Sequence, residues 1–203
     1  MQKREFRFGF APEIREDGGA PKITGYAAVF NEETDLGYFR EVIRPGAFKR
    51  SISEGADVRA LVEHDPARII GRTKAGTLSL REDEKGLLVE IEPPDTTVGT
   101  DVVKSLKRGD LDKMSFGFFI KGEEMKKVDG QWLREINDVD LFDVSVVAFP
   151  AYEGTSVEAR SMFPDGAPEM PAEKPLEAPA EQPSGAEIER AMRIDYAERM
   201  ANM

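Results

Sequence analysis

Residues 77–94 read TLSLREDEKGLLVEIEPP. Leu78 and Leu80, then Leu87, Val89 and Ile91, alternate with polar residues on either side of an acidic turn that ends at Gly86. An apolar period of two belongs to strands with one buried face, so this stretch predicts a β-hairpin with one wet face. Outward from it, further strand-like runs occur at 5–10, 22–30, 57–63, 113–121, 131–136 and 139–149. Short strands separated by turn signals predict a barrel or a sandwich. Helix is scarce. Its best case is 100–108, where Thr100 can cap, Val102 and Leu106 share a face with Val103 beside them, and Gly109 follows a basic last turn. A second short helix is expected from Pro45 through Ala47 and Phe48.

The chain has 203 residues, with 28 Lys+Arg against 39 Asp+Glu and a net charge of −11. That length can bury a core without staples. The absence of cysteine excludes disulfides, thiolate nucleophiles, iron–sulfur clusters and Cys-ligated zinc, and agrees with a reducing compartment. The single histidine, His64, excludes a multi-His metal cluster, and no cofactor or metal is expected. A pI near 4.8 argues against a protein that neutralises nucleic-acid phosphates. No apolar run approaches the roughly 18 residues of a membrane span, and the charged start MQKREFRFGF does not read as a secretory signal. The expectation is a soluble, cytoplasmic-type protein with neither nucleic acid nor membrane as partner.

Composition changes near Ser161. Residues 161–186, SMFPDGAPEMPAEKPLEAPAEQPSGA, repeat Pro among Ala and Glu with almost nothing to bury, and read as a disordered, partly stiff linker. In 187–203, Ile188, Met192, Tyr196 and Met200 fall at four-residue steps, a short amphipathic helix with a narrow stripe. Such a helix is marginal alone, so it either docks on a partner surface or frays. The body, 1–160, is one mainly β domain.

Three residues in that body could carry chemistry. His64 lies in LVEHDPARI, at the end of an apolar strand and before a proline that forces a turn. Imidazole is the usual general base near neutral pH, although a strand-end His beside Asp65 also reads as a solvated loop residue. Ser115, in KMSFGFFIKG, shares a strand face with Gly117, while Met114, Phe116 and Phe118 share the other. The glycine leaves room for another backbone to approach, as a nucleophile reached by a peptide needs; an ordinary small residue in a barrel interior is the alternative. Asp143, in DVDLFDVSVVAFPAY, is in step with Val139, Leu141, Ser145 and Val147, opposite Phe142, Val144, Val146 and Ala148. Both faces are apolar, so a carboxylate there needs a cation or several donors. An imidazole that becomes imidazolium is one such partner, an Arg from a neighbouring strand another. Asp140, on the other face, is the rival acid.

The segments GYAAVFN, EVIRPGAF, ALVEHDPARIIGRT, DVVKSLKRGDLDKMSFGF and LFDVSVVAFPAYEGT, in this order, resemble the signature blocks of the HK97-type prohead proteases of tailed bacteriophages. The resemblance covers roughly 25–160 and none of the tail. It implies a fold similar to the herpesvirus maturation proteases, a closed antiparallel β-barrel flanked by a few helices, with a serine nucleophile and a histidine base. The family's His falls on His64, its Ser on Ser115 and the acid of its L-F-[ED]-V-S block on Asp143. Herpesvirus enzymes carry a second histidine at that third position, where this chain has none. Their oxyanion arginines correspond here to FPAYEG, which leaves the donors open between backbone N–H groups near Ser115 and a more distant Arg. The implied activity is that of a serine endopeptidase of Ser-His-Asp type. It would cut the scaffolding portion of the major capsid protein precursor, and itself, inside the immature procapsid in the host cytoplasm. The alternative from another class is an inactive assembly or scaffolding module of the same fold. A generic serine esterase is disfavoured because no G-x-S-x-G elbow surrounds Ser115.

Overall fold

A computed structural model describes residues 4–16, 20–37 and 39–148. The linker at 161–186, the helix at 187–203 and the FPAYEG stretch lie outside the described residues. In chain order the elements are β1 Glu5–Phe8, β2 Glu13–Arg15, β3 Lys22–Val29, β4 Glu33–Asp35, β5 Arg40–Ile43, α1 Lys49–Ser53, β6 Arg59–Val62, β7 Asp65–Arg72, β8 Leu78–Glu82, β9 Gly86–Ile91, α2 Thr97–Arg108, β10 Lys113–Val128 and β11 Gln131–Val147.

The mainly β expectation holds; the closed antiparallel barrel does not. The strands form two sheets, β1-β10-β11-β5-β4 with β6 and β7 attached through β11, and β2-β3-β9-β8, and among the described residues no strand ladder joins the two. The larger sheet is also mixed, because β11 pairs in parallel with β5 along 133–136 and with β6 along 143–146. Such pairings join segments far apart in sequence, and local alternation carries no trace of them. β8 and β9 form the hairpin read from 77–94, with Leu78, Leu87, Val89 and Ile91 buried and the turn closed by backbone N–H groups of Lys85 and Gly86 donating to Asp83. Residues from both sheets share one core. At its centre Phe116 stacks on Phe118 (5.0 Å) and meets Phe48 edge-on (5.2 Å). Each fully buried ring of this kind stabilises the fold by roughly 1.5–3 kcal/mol.

α2 starts earlier than the sequence predicts, because Thr96, rather than Thr100, caps it by accepting from the Gly99 N–H. Only glycine fits at 99, where a Cβ would lie 2.0 Å from the Pro94 carbonyl oxygen. Gly109 (φ 80°) ends the helix as expected. α1 begins only after Phe48; 45–48 are turn. The runs 131–136 and 139–149, expected as two strands, are one strand through Val147: Lys121 on β10 and Asn137 on β11 are each passed over in the register, so the Asn137–Asp138 turn signal is absorbed as an irregularity. Among the described residues no helix is long and apolar enough to cross a membrane.

Candidate active site

His64 is placed by a two-residue hairpin. Val62 pairs with Asp65, leaving Glu63 and His64 as the loop, and both have positive φ (56° and 54°). The turn therefore sits at His64 itself, not at Pro66, which lies in β7, a strand that among the described residues pairs only with β6. Left-handed backbone at two consecutive non-glycine residues costs of order 1–3 kcal/mol each and persists only where its surroundings enforce it. Glu63 supplies the enforcement. Its N–H donates to the Val146 carbonyl (3.0 Å) and its carboxylate accepts from the Ala148 N–H (2.6 Å), tying the loop to the end of β11.

Ser115 and Asp143 come from the neighbouring strands β10 and β11. Ser115 stands opposite Ser145 and Gly117 opposite Asp143, so all four lie on one face. The next register pair is Phe118 with Leu141, which leaves Phe142 as an extra residue on β11. This bulge corrects the strand parity read from the sequence. Val139 and Leu141 belong to the core with Val144 and Val146, rather than to the face of Asp143. Without it, Asp143 and Ser145 would point into the core.

The geometry joins the three sequence candidates. His64 Nε2 lies 2.7 Å from Ser115 Oγ and His64 Nδ1 2.5 Å from Asp143 Oδ1. Ser115 is fully buried, Asp143 nearly so, and the His64 side chain is 17 % exposed. Ser145, which the sequence reading passed over, donates to Asp143 Oδ1 (3.1 Å) and lies 3.1 Å from His64 Nδ1. Its signal was available, a hydroxyl two residues beyond the acid on the same strand face. The arginine alternative for Asp143 is set aside: Arg59 stands opposite it in register, but its guanidinium turns to Asp57. Asp140 stays apart, held by Arg50 (2.6 Å) and Lys121 (3.0 Å). Burial opposes its charge, yet those two cations keep its carboxyl below the ordinary value.

Gly117 has a different use from the one its sequence suggested. A Cβ there would lie 2.5 Å from Asp143 Oδ2 and 2.6 Å from the Phe142 ring. The missing side chain makes room for the acid, not for a substrate backbone. Among the described residues no cluster of three or more acidic or imidazole side chains is arranged to hold a metal ion.

Beside these contacts lies a buried ionic cluster. Arg134, 3 % exposed at its side chain, donates to Glu5, Glu41 and Glu123, while Arg7 also pairs with Glu5 and Glu41. Burial would raise the Glu5 pKa, but hydrogen bonds and charge from Arg134 and Arg7 hold its carboxyl below the ordinary value. The cluster fastens β1 to β5 and β11.

Comparison with curated proteins finds no match. Among solved structures, the chain is similar in fold to the capsid assembly protease of bacteriophage T4, with a TM-score of 0.53 at 10 % identity, covering 73 % of this chain and 98 % of that one. Residues 11–165 match the family described as caudovirus prohead serine protease, a span that holds His64, Ser115 and Asp143. With most of its length matched, the chain belongs to the caudovirus prohead serine protease family.

Proposed function

We propose that the chain is a serine endopeptidase that matures phage capsids by cutting the scaffolding portion of the major capsid protein precursor within the immature procapsid. The observation that carries this reading is the continuous contact from Ser115 Oγ through the His64 ring to Asp143, in a chain of the prohead protease family. Ser115 Oγ attacks the scissile carbonyl while His64 Nε2 takes its proton, then passes it to the leaving amine; water cleaves the acyl-enzyme with His64 again as base. Asp143 accepts from Nδ1–H, fixes the tautomer and stabilises the imidazolium. Ser145 is a positioning residue that keeps the Asp143 oxygen aimed at the ring. Ser145→Ala should slow precursor cleavage by about ten-fold, the order expected for one hydrogen bond to a charged group.

The test is co-expression of the chain, and of its Ser115→Ala form, with the capsid protein precursor, followed by the masses of both proteins. The wild-type chain should convert the precursor to a shorter product and shorten itself, and the variant should do neither. Equal precursor masses in both cultures would overturn the activity. A shortened precursor beside an intact wild-type chain would remove only self-cleavage. The complete burial of Ser115 is the observation that favours the inactive-module reading, and it has a specific cause.

A further inference from the structure

On the activity proposed above, a peptide carbonyl must come within about 3 Å of Ser115 Oγ. In this structure β1 occupies that space. β1 runs antiparallel along β10 with Phe8 opposite Ser115, Arg7 opposite Phe116 and Glu5 opposite Phe118. The Arg7 carbonyl accepts from the Ser115 hydroxyl at 2.8 Å, and the Phe6 ring lies over His64 with 4.4 Å between centroids. A serine hydroxyl has one proton, so the bond to Arg7 diverts that proton from His64.

Two further observations separate β1 from the body it covers. The family match begins at residue 11, after β1 has ended. The body beneath also keeps its charges paired without β1: Arg134 retains Glu41 and Glu123, and Glu41 retains Arg134. The edge under β1 is otherwise ready for another strand. The Met114 carbonyl accepts from the Gly9 N–H, and backbone groups alternate along a strand, so those of Met114, Phe116 and Phe118 face this side. Arg7, Gly9 and Phe10 also wall a cavity of about 310 Å³ whose other lining includes Glu41, Lys113 and Phe116.

We infer that β1 is a resident occupant of the substrate site, and that an extended peptide adds to the edge of β10 in its place, offering an acidic side chain to Arg134 and, two residues on, a basic one to Glu41. Strand addition supplies the affinity through main-chain hydrogen bonds, and the two buried charges read the sequence. This rests on Ser115 being the nucleophile.

The test measures how fast a fluorophosphonate labels Ser115, with the site located by mass, in the full chain and in its Glu5→Ala/Arg7→Ala form. The variant should label about ten-fold faster or more, since each lost charge-assisted bond had held β1 down. Added peptide QKREFRFGF should slow the variant again, and the same peptide with its Glu and second Arg exchanged should not. A folded variant that labels at the wild-type rate, or one the peptide does not slow, would overturn the inference while leaving the nucleophile intact. If neither chain labels at Ser115, the catalytic reading falls and this one with it. Should the variant fail to fold, the wild-type chain still decides. Prolonged labelling should strip residues 5–8 of amide-exchange protection while the rest keeps its own, and unchanged protection there would overturn the inference.

Discussion

Two tight turns in this chain share a backbone and differ in every other respect. Asp129–Gly130 joins β10 to β11 and Glu63–His64 joins β6 to β7, each between paired strand residues and each with positive φ at both positions. The first uses residues that adopt left-handed backbone readily, and its tip is exposed. The second has no glycine and places a glutamate, which seldom adopts it, at its first position, and is held by the bonds of Glu63 to Val146 and Ala148. Where the turn only connects strands, local chemistry suffices. Where it presents an imidazole to Ser115, tertiary bonds impose the conformation, and the strain falls on the residue proposed as the base.

The largest effects should come from the strained turn and what it faces. Ser115→Ala or His64→Ala should each lower precursor cleavage by about 10⁴ or more with the fold retained, read by band intensity alongside thermal unfolding. Wild-type processing by either folded variant would sink the assignment. Asp143→Asn should cost about 10⁴ in kcat, as the same change does in well-studied serine protease triads, while Asp140→Asn should change the rate only a few-fold. A reversal of those two would move the third position to Asp140.

Glu63→Val puts a β-branched residue into left-handed backbone and removes the acceptor for the Ala148 N–H. It should slow cleavage about 10²-fold, well below its unfolding temperature, by displacing His64. If activity fell only in step with unfolding, Glu63 would have no positioning role. Moving the strained pair to the connecting turn, by Asp129→Glu with Gly130→His, measures the strain apart from function. Unfolding should then need about 1–2 kcal/mol less, with cleavage rate unchanged.

Acid should act more weakly, at the β8–β9 turn. The Tyr26 hydroxyl donates to Asp83 (2.7 Å) and holds its carboxyl below the ordinary value, against the opposing effect of burial. A depressed folded pKa contributes stability above the unfolded value, and that contribution is lost as pH falls through the folded one. Amide exchange at Gly86 should therefore quicken in acid relative to a Tyr26→Phe chain, in which this dependence is reduced. Parallel pH dependence in the two chains would contradict it.

Local patterning made the β8–β9 hairpin legible, because alternation and turn chemistry are written in adjacent residues. The sheet's parallel pairings were not, since nothing in 40–43 or 59–62 names β11 as partner. The Asp129–Gly130 signal was present, and the long hairpin it closes went unread as one unit. At the site, the contexts of His64, Ser115 and Asp143 raised each as a candidate beside a bland alternative, and the family blocks around them singled them out. Their convergence depends on the Phe142 bulge and the turn at Glu63, and neither has a sequence signature. Ser145 carried a readable signal, a hydroxyl in step with the acid, whereas the covering of Ser115 by β1 emerges only in three dimensions.

The central claim is that Asp143 acts through His64 on Ser115 as one unit. Fluorophosphonate labelling of Ser115, compared among the wild-type chain, His64→Ala, Asp143→Asn and the double variant, tests it most directly. Groups that work as a unit are strongly non-additive, so the double variant should label no more slowly than His64→Ala alone. Costs that multiply, with the double variant slower by the full Asp143→Asn factor, would show the acid acting independently of the imidazole and would contradict the account.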